Sequence, residues 1–270
     1  MLLGGISPVT TNDALGTRMK ENYEFRARTM LPRRSYTIVR LDGKGFSGYT
    51  RGLERPFDLK FMEDMSATAL FLCQEAQGAR IAYTQSDEIS LVLTDFESPG
   101  TQAWFGGNQQ KIVSITASMA TAKFNELRPG KLAYFDSRAF IIPDPVEVEN
   151  YLVWRQKDAM RNSVSMAAQA HFSHNELHGK SRDEMQEMLF KDRGINWNDY
   201  DPRFKRGTTI APATTIEPVT YTDKRTGKSF TTDATERRTW GIIVPPTDFT
   251  KEREWLGARI AGEPLKVVVP

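Results

Sequence analysis

Two apolar runs, each carrying an aspartate at a defined place, limit what this chain can fold into. The first is Ser35-Tyr36-Thr37-Ile38-Val39-Arg40-Leu41, closed by Asp42. Its β-branched and aromatic content reads as a strand. Asp42-Gly43-Lys44-Gly45 then breaks it, with glycines that allow unusual backbone angles and close ligand approach. The second run holds Asp87. Arg80–Thr84 and Glu88–Thr94 read as strands about a tight turn at Gln85-Ser86-Asp87, and Ile89, Leu91 and Leu93 alternate with Ser90, Val92 and Thr94. Between the runs, Asp58 is an N-cap for a helix to about Gln77, with Gly78 as its stop. Phe61, Met62, Met65, Ala69, Leu72, Cys73 and Ala76 recur on it at helical spacing.

The same punctuation organises the rest. After a loose lead-in at residues 1–12, a helix is expected from Asp13 to Met30, ended by Pro32. The loop Ser98 to Gly107 precedes a helix at Asn108–Leu127, which Pro129-Gly130 ends. Leu132–Ile142 reads as a strand, and a long helix follows from about Val146 to Phe172. Ser181-Arg182-Asp183-Glu184 has the capping-box pattern for a helix to about Lys191. Arg203–Ile210 carries a basic cluster into a strand. From Ala211 the chain is Thr-rich, with a hairpin loop at Thr222–Lys228, a returning strand at Trp240–Val244 and a short helix over 248–261. The order β-α-β-β-α-β is the split, ferredoxin-like pattern of an α+β fold. Its first and third strands are neighbours, so Asp42 and Asp87 are expected close together.

At 270 residues, one large domain or two small ones fit. A net charge of +2 does not demand a nucleic-acid partner, so an anion-binding face has to come from local clustering. The single cysteine, Cys73, excludes an intrachain disulfide and reads as a small buried hydrophobe in a reducing compartment. The N-terminus lacks the basic region and apolar core of a signal peptide, and no apolar run approaches the roughly 20 residues of a membrane span. A cytoplasmic protein with no membrane partner is expected.

On spacing alone, two readings of the aspartates stay open. They are ordinary turn acids, or they are a carboxylate pair for hard divalent ions, which take oxygen ligands and complete their shells with phosphates. Backbone N–H groups of Lys44, Gly45 and Phe46 suit a triphosphate cradle. Arg51, Arg55, Lys111, Arg138, Arg155, Arg161, Lys205 and Arg206 recur around these elements and mostly read as solvated surface. Lys111 stands out, in the first turn of a helix whose N-terminus favours anions. His171, His174 and His178 are spaced like a helical metal face, but no Cys or acid accompanies them at zincin spacing, so surface roles are expected. Gly-x-Ser-x-Gly and Walker patterns are missing.

Six motifs in register then resemble the tRNA-His guanylyltransferase family and its bacterial and archaeal relatives. They are Val39–Phe46, Arg55-Pro56-Phe57-Asp58, Gln85–Ser90 with Lys111–Ser118, Phe135-Asp136-Ser137-Arg138, Trp154-Arg155-Gln156-Lys157-Asp158, and Lys205-Arg206-Gly207-Thr208. The resemblance spans about Ser35 to Ile210. It implies a polymerase-like palm that adds nucleotides in the 3′-to-5′ direction: ATP activates a 5′-monophosphate RNA end, and the 3′-hydroxyl of an incoming nucleotide, usually GTP, attacks it. By matching position Asp42, Gly43 and Asp87 hold two Mg²⁺ ions, and Asp42, Asp87 and Glu88 are the catalytic acids. Asp42, Gly43, Lys44, Gly45, Phe46, Ser47, Arg55, Asp58, Ser86, Asp87 and Lys111 line the nucleotide. Arg138, Arg155, Asn162, Lys205 and Arg206 are assigned to RNA. Residues 1–210 become a palm-type catalytic domain with added helices, and 211–270 a C-terminal β-hairpin and helix extension packed on it. The resemblance also implies tRNA and nucleoside triphosphates as partners and a homotetramer.

The chain departs from the eukaryotic pattern after Asp158. Those members read Cys-His-Ile-Asn-Asn where this chain has Ala159-Met160-Arg161-Asn162-Ser163. Loss of the His favours templated 5′-end addition or repair over untemplated addition to tRNA-His. Two rivals remain: a palm-fold nucleotide cyclase, and an RNA-binding module without catalysis.

Overall fold

A computed structural model describes residues 14–268, leaving aside the side chains of 215–219, 232–237 and 266–268. The lead-in at 1–12 and the expected helix start at Asp13 lie outside the described residues.

The core is the split pattern. β1 (Tyr36–Gly43), β2 (Ala79–Gln85), β3 (Glu88–Leu93) and β4 (Phe135–Ile142) pair antiparallel in the order β4-β1-β3-β2, so the first and third strands are neighbours. The alternation of β1 decides its layers. Val39 and Leu41 pack with α3 (Leu59–Glu75) and α4 (Gln109–Leu127), whereas Tyr36 and Ile38 face α5 (Pro145–His171) and α9 (Arg253–Ala261). Asp58, Asn108 and Asp144 cap α3, α4 and α5 by accepting backbone N–H groups of Phe61, Lys111 and Val146. Thus the sheet is covered on both faces.

Several elements differ from expectation. Residues 14–27 wind as α1 (Ala14–Met19), a wide turn and a tight one, because none of these side chains finds a buried face. β1 continues through Asp42 and Gly43, which pair with Glu88 on one side and with Asp136 and Phe135 on the other. A one-turn helix, α2 (Phe46–Tyr49), follows from Gly45, whose left-handed φ of 68° turns the chain. β4 starts at Phe135, since Leu132 and Tyr134 are exposed. Short α6 (His174–Leu177) and α7 (Arg182–Arg193) both begin with a capping box.

Asp201 and Pro202 start a short helix, α8 (Pro202–Arg206), where a strand was expected. β5 (Thr208–Thr222) and β6 (Ser229–Ile243) are then 15 residues each, far longer than the expected returning strand, and β5 adds to β2 at the edge of the same sheet. β7 (Leu265–Val268) runs parallel to β5 from Ala213 to Ile216. No helix among the described residues is long and apolar enough to cross a membrane.

Candidate active site

Register builds the site. Asp136, Asp42 and Glu88 lie side by side across β4, β1 and β3, and one rung on stand Arg138, Arg40 and Ser90. The tight turn between β2 and β3 brings Asp87 to the same end. Its carbonyl accepts the Gly43 N–H at 3.1 Å, and Ser86 beside it holds a positive φ of 50°. Such a conformation in a non-glycine residue is maintained only where its surroundings enforce it.

The charges are shared unequally. Glu88 is 4% exposed and fully engaged: the Arg155 guanidinium donates to both its oxygens at 2.7 and 2.6 Å, and Arg40 lies 2.6 Å away. Asp136 pairs with Arg138 at 3.1 Å, while Asp42 meets the same guanidinium only at 3.9 Å. Asp87 has no ion-pair partner among the described residues. Burial, then the negative charge of Asp42, push the Asp87 carboxyl above its ordinary range. Two carboxylates are therefore held together with little compensating charge at the mouth of a cleft.

That cleft measures about 520 Å³ and is lined by Phe46, Ser47, Arg51, Arg55, Asp58, Ser86 and Asp87, with Met166 and Gln169 of α5 opposite. A second cavity of about 420 Å³ shares Ser86 and Asp87 and adds Arg40, Asp42, Asp158 and Asn162. The Phe46 ring packs so closely on Gly43 that a Cβ there would run into it. Lys44 N–H already donates to the Tyr134 carbonyl, so it leaves the expected amide cradle. The amides of Gly45, Phe46 and Ser47 have no backbone partner among the described residues, as at the start of any helical turn. Asp58 borders the cleft with one oxygen on its helix cap.

Four of the expected residues sit away from the open cleft or are engaged by other groups. Lys111 is not at the site: α4 covers the opposite face of β1 from Asp42, and Lys111 lines a separate cavity with Glu24 and Arg28. Arg155, assigned to RNA, is turned inward, where Glu88 and Asp158 hold its buried guanidinium. Lys205 is 6% exposed and its amine donates to the Asn198 carbonyl at 2.5 Å, while burial and the charge of Arg206 lower its pKa. Glu88, expected among the catalytic acids, has both oxygens occupied by arginines. Arg138 and Asn162 do lie at the open side, and Arg206 is half-buried near Asp248.

Gln85, Asp158, Met166 and Gln169 line the cavities and escaped the sequence reading. Spacing on α5 was the missed signal, since 158, 162, 166 and 169 fall on one helical face with Asn162. The Trp154–Asp158 motif proves to be a bracket. Trp154 lies under the Arg155 guanidinium at 4.5 Å, and Gln156 bonds Phe249 N–H and the Thr247 carbonyl. The three histidines form no metal site: only His174 and His178 approach each other, at 6.1 Å between rings, and no group of three metal-ligating side chains gathers among the described residues.

Comparison with known proteins agrees with this layout. The family model for tRNAHis guanylyltransferase matches residues 16–143, and that for the Thg1 C terminal domain matches 146–250. A bacterial tRNA(His) guanylyltransferase (Thg1)-like protein solved in complex with ATP is 39% identical, with a TM-score of 0.78, over 91% of this chain and 99% of that one. Its complex with GTP gives a TM-score of 0.74 at 39% identity, covering 92% and 99%. A probable tRNA(His) guanylyltransferase of Dictyostelium discoideum is 28% identical over 251 residues, 86% of this chain and 92% of the relative. The α+β, palm-like fold and the ordered site motifs have one common explanation: this chain belongs to the tRNA(His) guanylyltransferase family.

Proposed function

We propose that this chain is a nucleotidyltransferase that extends the 5′ end of tRNA in the 3′-to-5′ direction. The observation that carries the reading is Asp87, which borders both a cleft lined by Arg51 and Arg55 and the adjoining cavity that Asp42 lines. A half-buried carboxylate without an ion-pair partner among the described residues, beside a second one, fits divalent cations. Asp42, Asp87 and the Gly43 carbonyl are all hard oxygen donors, and Mg²⁺ prefers such ligands together with substrate phosphates. When bound, Mg²⁺ supplies charge neutralisation at the phosphates exchanged in the reaction.

The remaining work belongs to the protein. Arg51 and Arg55 attract the triphosphate into the cleft, and the Phe46–Ser47 turn presents its amides toward it. The Asp42 and Asp87 frame fixes the position at which the 3′-hydroxyl oxygen of GTP forms its bond to the 5′-phosphorus. The bond broken is the one from that phosphorus to the AMP leaving group left by activation with ATP. Arg138 and Asn162 face the open side and are assigned to the RNA backbone, with Arg206 behind them. Glu88, Arg40 and Arg155 are positioning residues for the Asp87 turn.

Met160, in place of the His of eukaryotic relatives, favours templated addition or repair over untemplated addition. We also keep residues 1–210 as the catalytic part and 211–270 as its extension, since every assigned site residue precedes Gly207. A cytoplasmic homo-oligomer belongs to the same reading by resemblance. The test is incubation with Mg²⁺, ATP, GTP and a 5′-labelled tRNA lacking its first nucleotide. Wild type lengthens the RNA by one nucleotide and Asp42→Ala does not. Equal extension by both proteins sinks the proposal, and GTP turnover without RNA extension favours the cyclase.

A further inference from the structure

A single apolar side chain in water is ordinary on a protein surface. Trp154 is not placed like one. Of the five tryptophans it alone is exposed, at 49%. It stands on the outer face of α5, immediately before Arg155 and one turn before Asp158, which both line the cavity of about 420 Å³ together with Asp42 and Asp87. The ring therefore sits at the rim of the candidate site and not on a remote surface.

The ring is also held. The Arg155 guanidinium covers one of its faces at 4.5 Å from the centroid, and Glu88 fixes that guanidinium in turn. Tyr151 meets the ring at 6.0 Å and 60°, and Phe140 of β4 backs Tyr151 at 5.7 Å. What remains exposed is a rigid, flat surface that loses little freedom on contact. Cations surround it. Lys157 and Arg161 follow at i+3 and i+7 on the same helix face, both exposed, although Arg161 also donates to Asp158 at 2.8 Å. Exposed Arg138 lies across from Arg40 on the sheet face that α5 covers and shares its charge with Asp136.

We propose that Trp154 stacks on the terminal base of the RNA at the end where the reaction occurs. Addition at a 5′ end makes the new nucleotide the last of its strand, so one face of its base has no neighbour from that strand. An aromatic ring beside the carboxylates covers that face, and a base stacks on such a ring whatever its sequence. Lys157, Arg161 and Arg138 suit the phosphates next to it. The rival role for Trp154 is a shield that keeps water from the Arg155–Glu88 pair, which a leucine would fill nearly as well as a tryptophan. The proposal deepens the reading of RNA as substrate and rests on it, but its first test reads contact and not nucleotide addition.

Wild type, Trp154→Phe and Trp154→Leu are compared once thermal unfolding shows that the variants fold. The probe is an acceptor-stem hairpin RNA whose 5′-terminal base is 2-aminopurine, a base whose emission falls when an indole stacks on it. Wild type should quench the probe and Trp154→Leu should not, while a hairpin with the 2-aminopurine in mid-stem should respond to both proteins alike. Trp154→Leu should weaken binding about fivefold or more, and Trp154→Phe, which keeps a ring, should retain most of the affinity. In extension with Mg²⁺, ATP and GTP, Trp154→Leu should raise KM for the RNA by a similar factor and leave kcat nearly unchanged. No quenching by wild type overturns the proposal without any variant, and so does equal quenching by wild type and Trp154→Leu. A fall in kcat with KM and affinity unchanged also overturns it, since that is the signature of a shield. A wild type that extends no RNA yet quenches the terminal probe through Trp154 refutes the proposed reaction while leaving the contact standing.

Discussion

The burial of Asp87, reinforced by the charge of Asp42, makes stability depend on pH in a definite direction. The Asp87 pKa is raised in the folded protein, so its contribution is full below the unfolded pKa and is lost as pH rises through the folded one. Without divalent cations, Asp42→Asn should therefore unfold at a slightly higher temperature than wild type at neutral pH, and NMR titration should show the Asp87 carboxyl moving back toward its ordinary value. Adding Mg²⁺ should stabilise wild type by about 1–3 kcal/mol at tens to hundreds of times its Kd and leave Asp42→Asn unmoved. Gly43→Ala carries a different penalty. Its Cβ meets the Phe46 ring, and displacing that ring should cost about 1–3 kcal/mol in urea unfolding and weaken GTP binding. Both aspartates were legible in the sequence because each sits in a short local pattern. The half-buried setting of Asp87 was not, since it depends on α5, which begins some sixty residues after Asp87.

At the scale of elements, α5 is held by charge as well as by apolar packing. Arg155 and Glu88 form a buried pair that the half-buried Arg40 joins, and Tyr151 adds a hydroxyl contact to Ser90 at 2.8 Å. Removing one member of a buried pair strands the other's charge, so Arg155→Met should destabilise by about 3–5 kcal/mol, and Glu88→Gln by a similar amount. The double variant should lose much less than the sum of the two, a coupling that urea denaturation of all four proteins measures. Cys73 on α3 gives a simpler check. Burial pushes its thiol well up, so it should resist a thiol-specific reagent in the native state and react once unfolded. The split-strand order was readable from punctuation and periodicity. Which charged residues turn inward was not: the partners Glu88 and Arg155 lie 67 residues apart, and an arginine on a helix reads as surface until its carboxylate is found. The placement of Lys111 was hidden for a related reason, since a helix N-terminus attractive to anions carries no label for the face of the sheet it will cover.

For the whole molecule, the second layer is the decisive addition. The sheet face bearing Ile38, Ile81, Tyr83 and Val92 is covered by Val148, Leu152, Phe249 and Leu256, all from beyond Asp144. A fragment ending at Asp144 should accordingly show no cooperative urea transition and should bind a hydrophobic dye, despite containing both aspartates. The segment matched by the first family model, 16–143, thus holds the acids but not the layer that covers this face of their sheet. The boundary also bears on heredity. Glu88 lies in one matched segment and its guanidinium partner Arg155 in the other. A lineage that alters either position inherits a defect that only the other segment can repair, so the two should drift as a covarying pair. Hybrids of distant relatives spliced at the Asp144 turn should fail where one parent's segment lacks the acid at 88 or the other's lacks the arginine at 155.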